Sequence, residues 1–340
     1  MGIKIGIVGA GGNTRLRHIP GFRAIDDVEI VGVVNRTRES SEKSAQEFSI
    51  PEVFNHWQDM IDSPDIDAVC IGTWPYMHCD IAIAALSANK HELTEARMAM
   101  NLAESRRMLE GAKGSDRVAM IVPAPFYFTY EPTLLDMVQE GEFGDLLEIQ
   151  VSALGGGYDP DTPLTWRQRR DYSGHNIMSM GIFNETIRRY AGHEKTVFAY
   201  GKTFVSERFN SETNSKAKID IPDSLGIVAE HHSGAMAVYH FSNVAKGGRN
   251  STIEMYGTRG GFRLENDKAL LVERDGSLRE LVVPENKTYA WNVEQEFIES
   301  IQSGGPVTRT SFEEGVRYME FTEAVTISMM ESRPVNLADL

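Results

Sequence analysis

Only two cysteines, Cys70 and Cys79, occur in 340 residues. Both sit in apolar patterns suited to buried faces, which argues against a disulfide framework and fits a reducing cytoplasm. Long apolar runs are also missing. No stretch approaches the ~20 residues that span a bilayer, and the opening MGIKIGIVGAGG lacks the basic flank and long apolar segment of an export signal. A soluble, cytoplasmic chain without a membrane partner is expected. Positive charge is in deficit: 34 Lys and Arg against 49 Asp and Glu give a formal net charge of -15. Such a surface repels phosphate backbones, so nucleic acid is not an expected partner. No G-x-S-x-G elbow is present, which disfavours covalent hydrolysis. A hairpin around Ser233-Gly234 is expected to set His231 near Met236 and His240 near Ile227, so the histidines do not converge and no metal is predicted.

What is present is ordinary globular composition, 41% hydrophobic and 24% charged, in a chain long enough for two domains. From residue 3 to about residue 122, β-branched runs (3–8, 29–34, 67–71, 118–122) alternate with helical patterns (40–48, 56–61, 77–88, 101–112). That is the grammar of βαβ units in a doubly wound parallel sheet. After Pro123 and Pro125 the pattern changes to a helix near 131–140, a strand at 146–154, a helix at 176–190 and a succession of strands. Two closing helices follow. The expected organisation is α/β: residues 1–122 as one domain, and 123–340 as an α+β domain with a mostly antiparallel open sheet.

Gly9, Gly11, Gly12, Asn13 and Thr14 follow the first strand and open a helix. In that context a glycine turn lets backbone N–H groups approach a diphosphate, the Rossmann arrangement for a dinucleotide. Thr14 stands where the third glycine of G-x-G-x-x-G normally packs helix on strand, so the helix is expected to ride slightly higher, with Asn13 or Thr14 hydrogen-bonding a phosphate. At the end of the second strand, where an acid would bind both ribose hydroxyls of NAD, the sequence has Asn35, Arg36 and Arg38. Guanidinium groups suit a 2'-phosphate, which favours NADP over NAD.

With these pieces in place the chain resembles the Gfo/Idh/MocA family. Thr73, Trp74 and His78 lie in a segment similar to its T-P-N-x-x-H, and 90–97 (KHELTEAR) is similar to its G-K-H-V-L-x-E-K-P. The resemblance implies an oxidoreductase acting on a carbohydrate, polyol or sugar-derived substrate, with Thr73, Trp74, His78 and Glu95 around the cofactor. It also implies a homo-oligomer formed through the C-terminal sheet. The family's lysine is replaced by Ala96 and its proline by Arg97. In the D-x-G-x-H motif the aspartate is Ser179 and the histidine Phe183.

Hydride transfer at a carbinol still needs a proton acceptor. His175, expected one helical turn before Ser179 on the same face, is the candidate. Tyr158, Trp166, Arg167, Tyr172, Asn176 and Ser179 are expected to face substrate, with Arg97 binding an anionic group or pairing with a carboxylate. Two alternatives remain open: a cofactor-recycling lyase or glycoside-cleaving enzyme, and a non-catalytic NAD(P)-binding sensor.

Overall fold

The structure is a computed structural model and describes residues 2–248, 251–265 and 268–340. It divides into two compact units, Met1–Pro123 with Asn292–Met319, and Ala124–Trp291 with Glu320–Leu340.

The first unit is built on a six-stranded sheet: β1 (Ile3–Val8), β2 (Val28–Val34), β3 (Glu52–Val53), β4 (Ala68–Ile71), β5 (His91–Thr94) and β6 (Ala119–Ile121). The order is β3-β2-β1-β4-β5-β6 and every neighbouring pair is parallel. All four residues of β4 are buried, as expected of a strand covered on both faces. Helices α1 (Ile19–Arg23), α2 (Arg38–Glu47), α3 (Trp57–Asp62), α4 (Pro75–Ser87) and α5 (Leu102–Lys113) connect the strands. Strand order reverses between β1 and β4, so the crevice for a ligand lies at their carboxyl ends.

The second unit carries α6 (Glu131–Gln139), β7 (Leu146–Leu154), α7 (Arg170–Ser173), α8 (Met180–Ala191) and β8 (Glu194–Lys202). A small hairpin, β9 (Glu207–Asn210) and β10 (Ser215–Lys218), comes next. Then come β11 (Ser224–His231), β12 (Met236–Ser242), β13 (Thr252–Gly257), β14 (Gly261–Glu265), β15 (Lys268–Val272) and β16 (Leu278–Glu280). Helix α9 (Val293–Ser303) belongs to the first unit, the division falls within α10 (Phe312–Glu331), and β17 (Val335–Asn336) closes the chain. The large sheet has nine strands in the order β16-β15-β14-β13-β7-β12-β11-β8-β17. Only β12 and β7 pair parallel among them.

Strands β3 and β5 lie outside the four expected strand runs, and three further features differ from the sequence expectations. The segment Asn292–Met319 groups with the first unit: Phe297 packs edge-on to Phe22 at 6.3 Å, and Ile121 N–H donates to the Thr310 carbonyl at 3.0 Å. The hairpin register is offset by one, with Met236 opposite Glu230 and His240 opposite Gly226. The helix expected from residue 176 starts only at Met180, because Met178 (φ 47°) is left-handed and cannot continue a helical turn.

Burial alternates along β11 and β12. Leu225, Ile227, Ala237, Tyr239 and Phe241 face the core with Ile187 of α8 and Phe321 and Val325 of α10. Phe198, Tyr200, Val228 and Val238 stay on the opposite, exposed face. Among the described residues no helix is long and apolar enough to cross a membrane.

Candidate active site

In the first unit the chain leaves β1 through a turn pinned from several sides. Gly9 has φ 88°, and a Cβ there would stand 2.8 Å from the backbone of Gly72 and Thr73, so position 9 tolerates only glycine. The Ala10 N–H donates to Asn35 Oδ1 at 2.7 Å, and the Ala10 carbonyl accepts from Arg15 Nε at 3.1 Å. A Cβ on Gly12 would meet nothing within 4 Å. The turn is therefore rigid underneath and open above, a cradle that fits a dinucleotide diphosphate.

Thr14 does not reach that cradle. It is 1% exposed, its hydroxyl donates to the Gly9 carbonyl at 3.1 Å, and a Cβ on Gly72 would lie 2.1 Å from its Oγ1. The space the third glycine usually provides is supplied across the sheet by Gly72, so the expectation of Thr14 as a phosphate donor is corrected. The chain then opens with a π-helical turn, Thr14–His18, with the Ile19 N–H bonded to the Thr14 carbonyl; such turns recur at functional sites. Asn13 Nδ2 donates to Glu95 Oε1 at 2.5 Å.

At the end of β2, Asn35 spends its amide within the loop. Oδ1 holds Ala10, while Nδ2 donates to the Ser40 carbonyl at 2.9 Å and to Ser44 Oγ at 3.0 Å. The Arg36 guanidinium lies 5.3 Å from the centre of the Trp74 ring. Arg38 is engaged beside α2, donating to Glu42 at 2.7 Å, the Val53 carbonyl at 3.1 Å and Asn55 at 2.8 Å. His78 ties two strand ends: Nε2 lies 3.1 Å from the Thr73 carbonyl and Nδ1 3.0 Å from the Arg97 carbonyl. Burial lowers its pKa, against the pull of those carbonyls. Arg97 is 4% exposed, which withdraws it from an anion in solution. The Ala96–Arg97 peptide bond is cis.

In the second unit, Trp166 and Arg167 share a single 3-10 turn, Trp166–Gln168, with the guanidinium 4.3 Å from the indole centre. Tyr158 is 62% exposed on the preceding loop. That loop rests on β9: Arg208 Nη1 donates to the carbonyls of Asp159 and Thr162 at 2.7 and 2.8 Å. Tyr172 stacks under Arg169, 3.9 Å from guanidinium carbon to ring centre, and its hydroxyl donates to Glu212 at 3.3 Å. Arg169 also pairs with Asp171 and Glu212. Asn176 is buried and turned inward, Nδ2 donating to the Ser173 carbonyl at 2.7 Å.

His175 sits in the non-helical segment between α7 and α8, not one helical turn before Ser179, so that part of the expectation fails. Its Nδ1 lies 2.9 Å from Glu323 Oε2 of α10, with side chains 29% and 20% exposed respectively. Ser179 caps α8 by backbone geometry alone. Phe183 is 1% exposed, stacked on Phe126 at 4.2 Å and tilted against Phe241 at 5.7 Å.

Sequence reading missed His18, Glu294, Glu323, Arg208 and Phe126. His18 is the one with a local signal, a histidine on the helix that follows the glycine turn. Glu323 lies 148 residues from its partner, a separation no periodicity reveals.

Residues 3–122 match the family described as "Oxidoreductase family, NAD-binding Rossmann fold", and residues 133–263 match the "GFO/IDH/MocA C-terminal domain". The chain is 27% identical over 242 residues to levoglucosan dehydrogenase of Pseudarthrobacter phenanthrenivorans, covering 65% of this chain and 61% of that one. It is 24% identical to myo-inositol 2-dehydrogenase of Thermotoga maritima, covering 99% of both. The solved structure of levoglucosan dehydrogenase in complex with NADH and levoglucosan shares the fold, with TM-score 0.86 at 21% identity, covering 99% of this chain and 100% of that one. The chain is an oxidoreductase of the Gfo/Idh/MocA family, with an NAD-binding Rossmann domain at residues 3–122.

Proposed function

We propose that this oxidoreductase acts on an alcohol carbon of a sugar or polyol, with His175 as the proton-transfer group and NADP as the preferred cofactor. The substrate class follows the relatives, two of which are named for levoglucosan and myo-inositol. The chemistry a bound nicotinamide supplies is hydride transfer at the carbinol carbon. The observation that carries the rest is the His175–Glu323 pair. A carboxylate on Nδ1 fixes the tautomer with its proton there and leaves the Nε2 lone pair to take the hydroxyl proton. Ala96 and Phe183 can do neither.

The cofactor preference rests on Arg36. No carboxylate stands at the end of β2 to repel a 2'-phosphate, and Arg36 beside the Trp74 ring offers a guanidinium fork next to a flat apolar surface. The exposed face bearing Phe198, Tyr200, Val228 and Val238 is proposed to pair with a second copy of the chain, because contiguous apolar patches of this kind mark association surfaces.

The test is turnover of NADP and NAD with a panel that includes myo-inositol and levoglucosan. His175→Ala is expected to lower kcat by about 10²-fold or more with cofactor Kd unchanged, and unchanged kcat removes His175 from the reaction. Arg36→Ala is expected to weaken NADP by roughly tenfold and NAD little; equal effects on both sink the phosphate contact. Tight cofactor binding with no turnover across the panel would favour the sensor reading, which the apolar stack around Phe183 also fits.

A further inference from the structure

Asn13, His18, Glu95 and Glu294 are scattered along the sequence, yet within the first unit they form one chain of contacts. His18 is fully buried and presents both ring nitrogens to carboxylates: Nδ1 lies 2.5 Å from Glu294 Oε1 and Nε2 3.0 Å from Glu95 Oε1. The same Glu95 oxygen accepts from Asn13 of the glycine turn. Room for the far carboxylate is made by Gly21, where a Cβ would stand 2.6 Å from Glu294 Oε2.

A neutral imidazole has one N–H and can donate to one of these acceptors only. Two carboxylates on two nitrogens call for the imidazolium, with both hydrogen bonds charge-assisted. Burial alone would lower the pKa of His18, but the hydrogen bonds to Glu294 and Glu95 and the charges behind them raise it to about 9. Against its own burial, Glu95 is held below the usual carboxylate range by the hydrogen bond and charge of His18.

Among the described residues, Cys70 of β4 and His78 of α4 interact electrostatically with Glu95, and Glu92 of β5 interacts with Cys70. Burial raises Glu92 to about 8, raises Cys70 and lowers His78, so all three are mainly uncharged at pH 7. The His18 imidazolium then offsets carboxylate charge behind the glycine turn. Loss of its proton would remove that offset and break one arm of the network.

We infer that His18 is a positioning residue for the dinucleotide: as an imidazolium it holds Glu95, and through Asn13 the glycine turn, in the geometry that accepts a diphosphate, and it offsets carboxylate charge that would oppose that ligand. The inference concerns the first unit alone and stands whether or not His175 moves the substrate proton.

The experiment is NADH binding to the full chain by fluorescence titration from pH 6.5 to 10, with a thermal melt at each pH, for the native protein, His18→Gln, Glu294→Gln and Glu92→Gln. Native affinity is expected to be level to about pH 8 and to fall on the order of tenfold by pH 10, the size of one added charge at short range. His18→Gln keeps a donor but no charge, so it should bind on the order of tenfold more weakly at pH 7 and show no alkaline decline. A merely structural histidine would lower Tm and leave the pH dependence of Kd in place. Binding by His18→Gln within twofold of native at pH 7, or an alkaline decline that persists in it, overturns the inference. So does a decline that disappears in Glu92→Gln, which would assign it to Glu92. If His18→Gln does not fold, Glu294→Gln decides, because removing one carboxylate should move the decline at least one pH unit lower. An unmoved decline overturns the proposal.

Discussion

Replacing Glu92 by glutamine should stabilise the protein at neutral pH and do almost nothing in acid. Glu92 lies on β5 with no exposed surface, Thr94 Oγ1 donates to its Oε2 at 2.5 Å, and its Oε1 has no hydrogen-bond partner among the described residues. One donor does not compensate a buried carboxylate, so burial raises its pKa from 4.5 to about 8. The unfolded chain releases this proton near pH 4.5 and the folded chain keeps it, so folding must retain a proton that solvent would take. Below pH 4.5 both states are protonated and nothing is lost. As pH rises the cost grows by ~1.4 kcal/mol per pH unit, reaching about 3 kcal/mol at pH 7, and it levels off above pH 8. Glutamine keeps the shape and has no proton to lose. Its melting temperature should match native near pH 4 and exceed it by roughly 6–12 °C at pH 7, taking ~2–4 °C per kcal/mol. Scanning calorimetry at half-unit steps reads this directly. A Tm difference that is constant from pH 4 to 8 would refute the buried-acid account, as would a variant less stable than native at pH 7.5.

Gly72→Ala sets a methyl 2.1 Å from Thr14 Oγ1 and 2.3 Å from the Gly9 carbonyl, so it should cost about 1–3 kcal/mol or more and weaken NADH binding. A melt and titration equal to native would show that the turn can shift. Phe183→His restores the family's residue but puts an imidazole between Phe126 and Phe241; a loss of about 2–4 kcal/mol with no gain in kcat is expected from denaturation and steady-state kinetics. A rise in kcat would show that position 183 still faces the chemistry. Tyr200→Glu, on the exposed face of β8, should convert an oligomer to monomer by light scattering while leaving Tm of the dilute protein within ~2 °C.

Four of the six strands of the first sheet were readable as short apolar, largely β-branched runs bounded by helical patterns, and the glycine turn follows the first of them; β3 (Glu52–Val53) and β5 (His91–Thr94) were not, because each is short and carries a single β-branched residue. The hairpin of β11 and β12 was readable from alternation, but the positions of His231 and His240 came out one residue off because the turn, not the pattern, sets register. The helix before Ser179 was over-extended: apolar spacing from Asn176 onward looks helical, and the left-handed Met178 that breaks it carries no glycine or proline to announce the break. The return of Asn292–Met319 to the first unit was invisible for another reason. Its partners, Phe22 and Ile121 among them, are contacts between distant segments, and period alone says which face is apolar and not what covers it. The same holds for the site. Gly9, Arg36, Trp74 and His175 were candidates from position alone, whereas Gly72 as the complement of Thr14, and the carboxylates on His18 and His175, exist only after folding.

The replaced residues differ in kind, and the difference bears on whether chemistry persists. At position 183 the change is structural as much as chemical: an aromatic ring there is matched by Phe126 stacked on it and Phe241 beside it, so the surroundings are built for phenylalanine. A chain that had merely lost its histidine would leave a cavity or stranded polar partners, each costing stability. Position 96 is different, because alanine removes a charge without filling its space. A binding protein could tolerate that. An enzyme must find its proton acceptor elsewhere, and an acceptor needs a lone pair, a fixed tautomer and access to solvent or substrate. His175 meets the structural part of that requirement through Glu323, and both keep part of their surface exposed. Buried His231 does not, since burial lowers its pKa to about 4 and its Nδ1 is spent on the Gly192 carbonyl at 3.1 Å. Of these two histidines of the second unit, only His175 has both a carboxylate holding one nitrogen within hydrogen-bond distance and accessible surface, and that is why the relocated proton transfer is proposed for it.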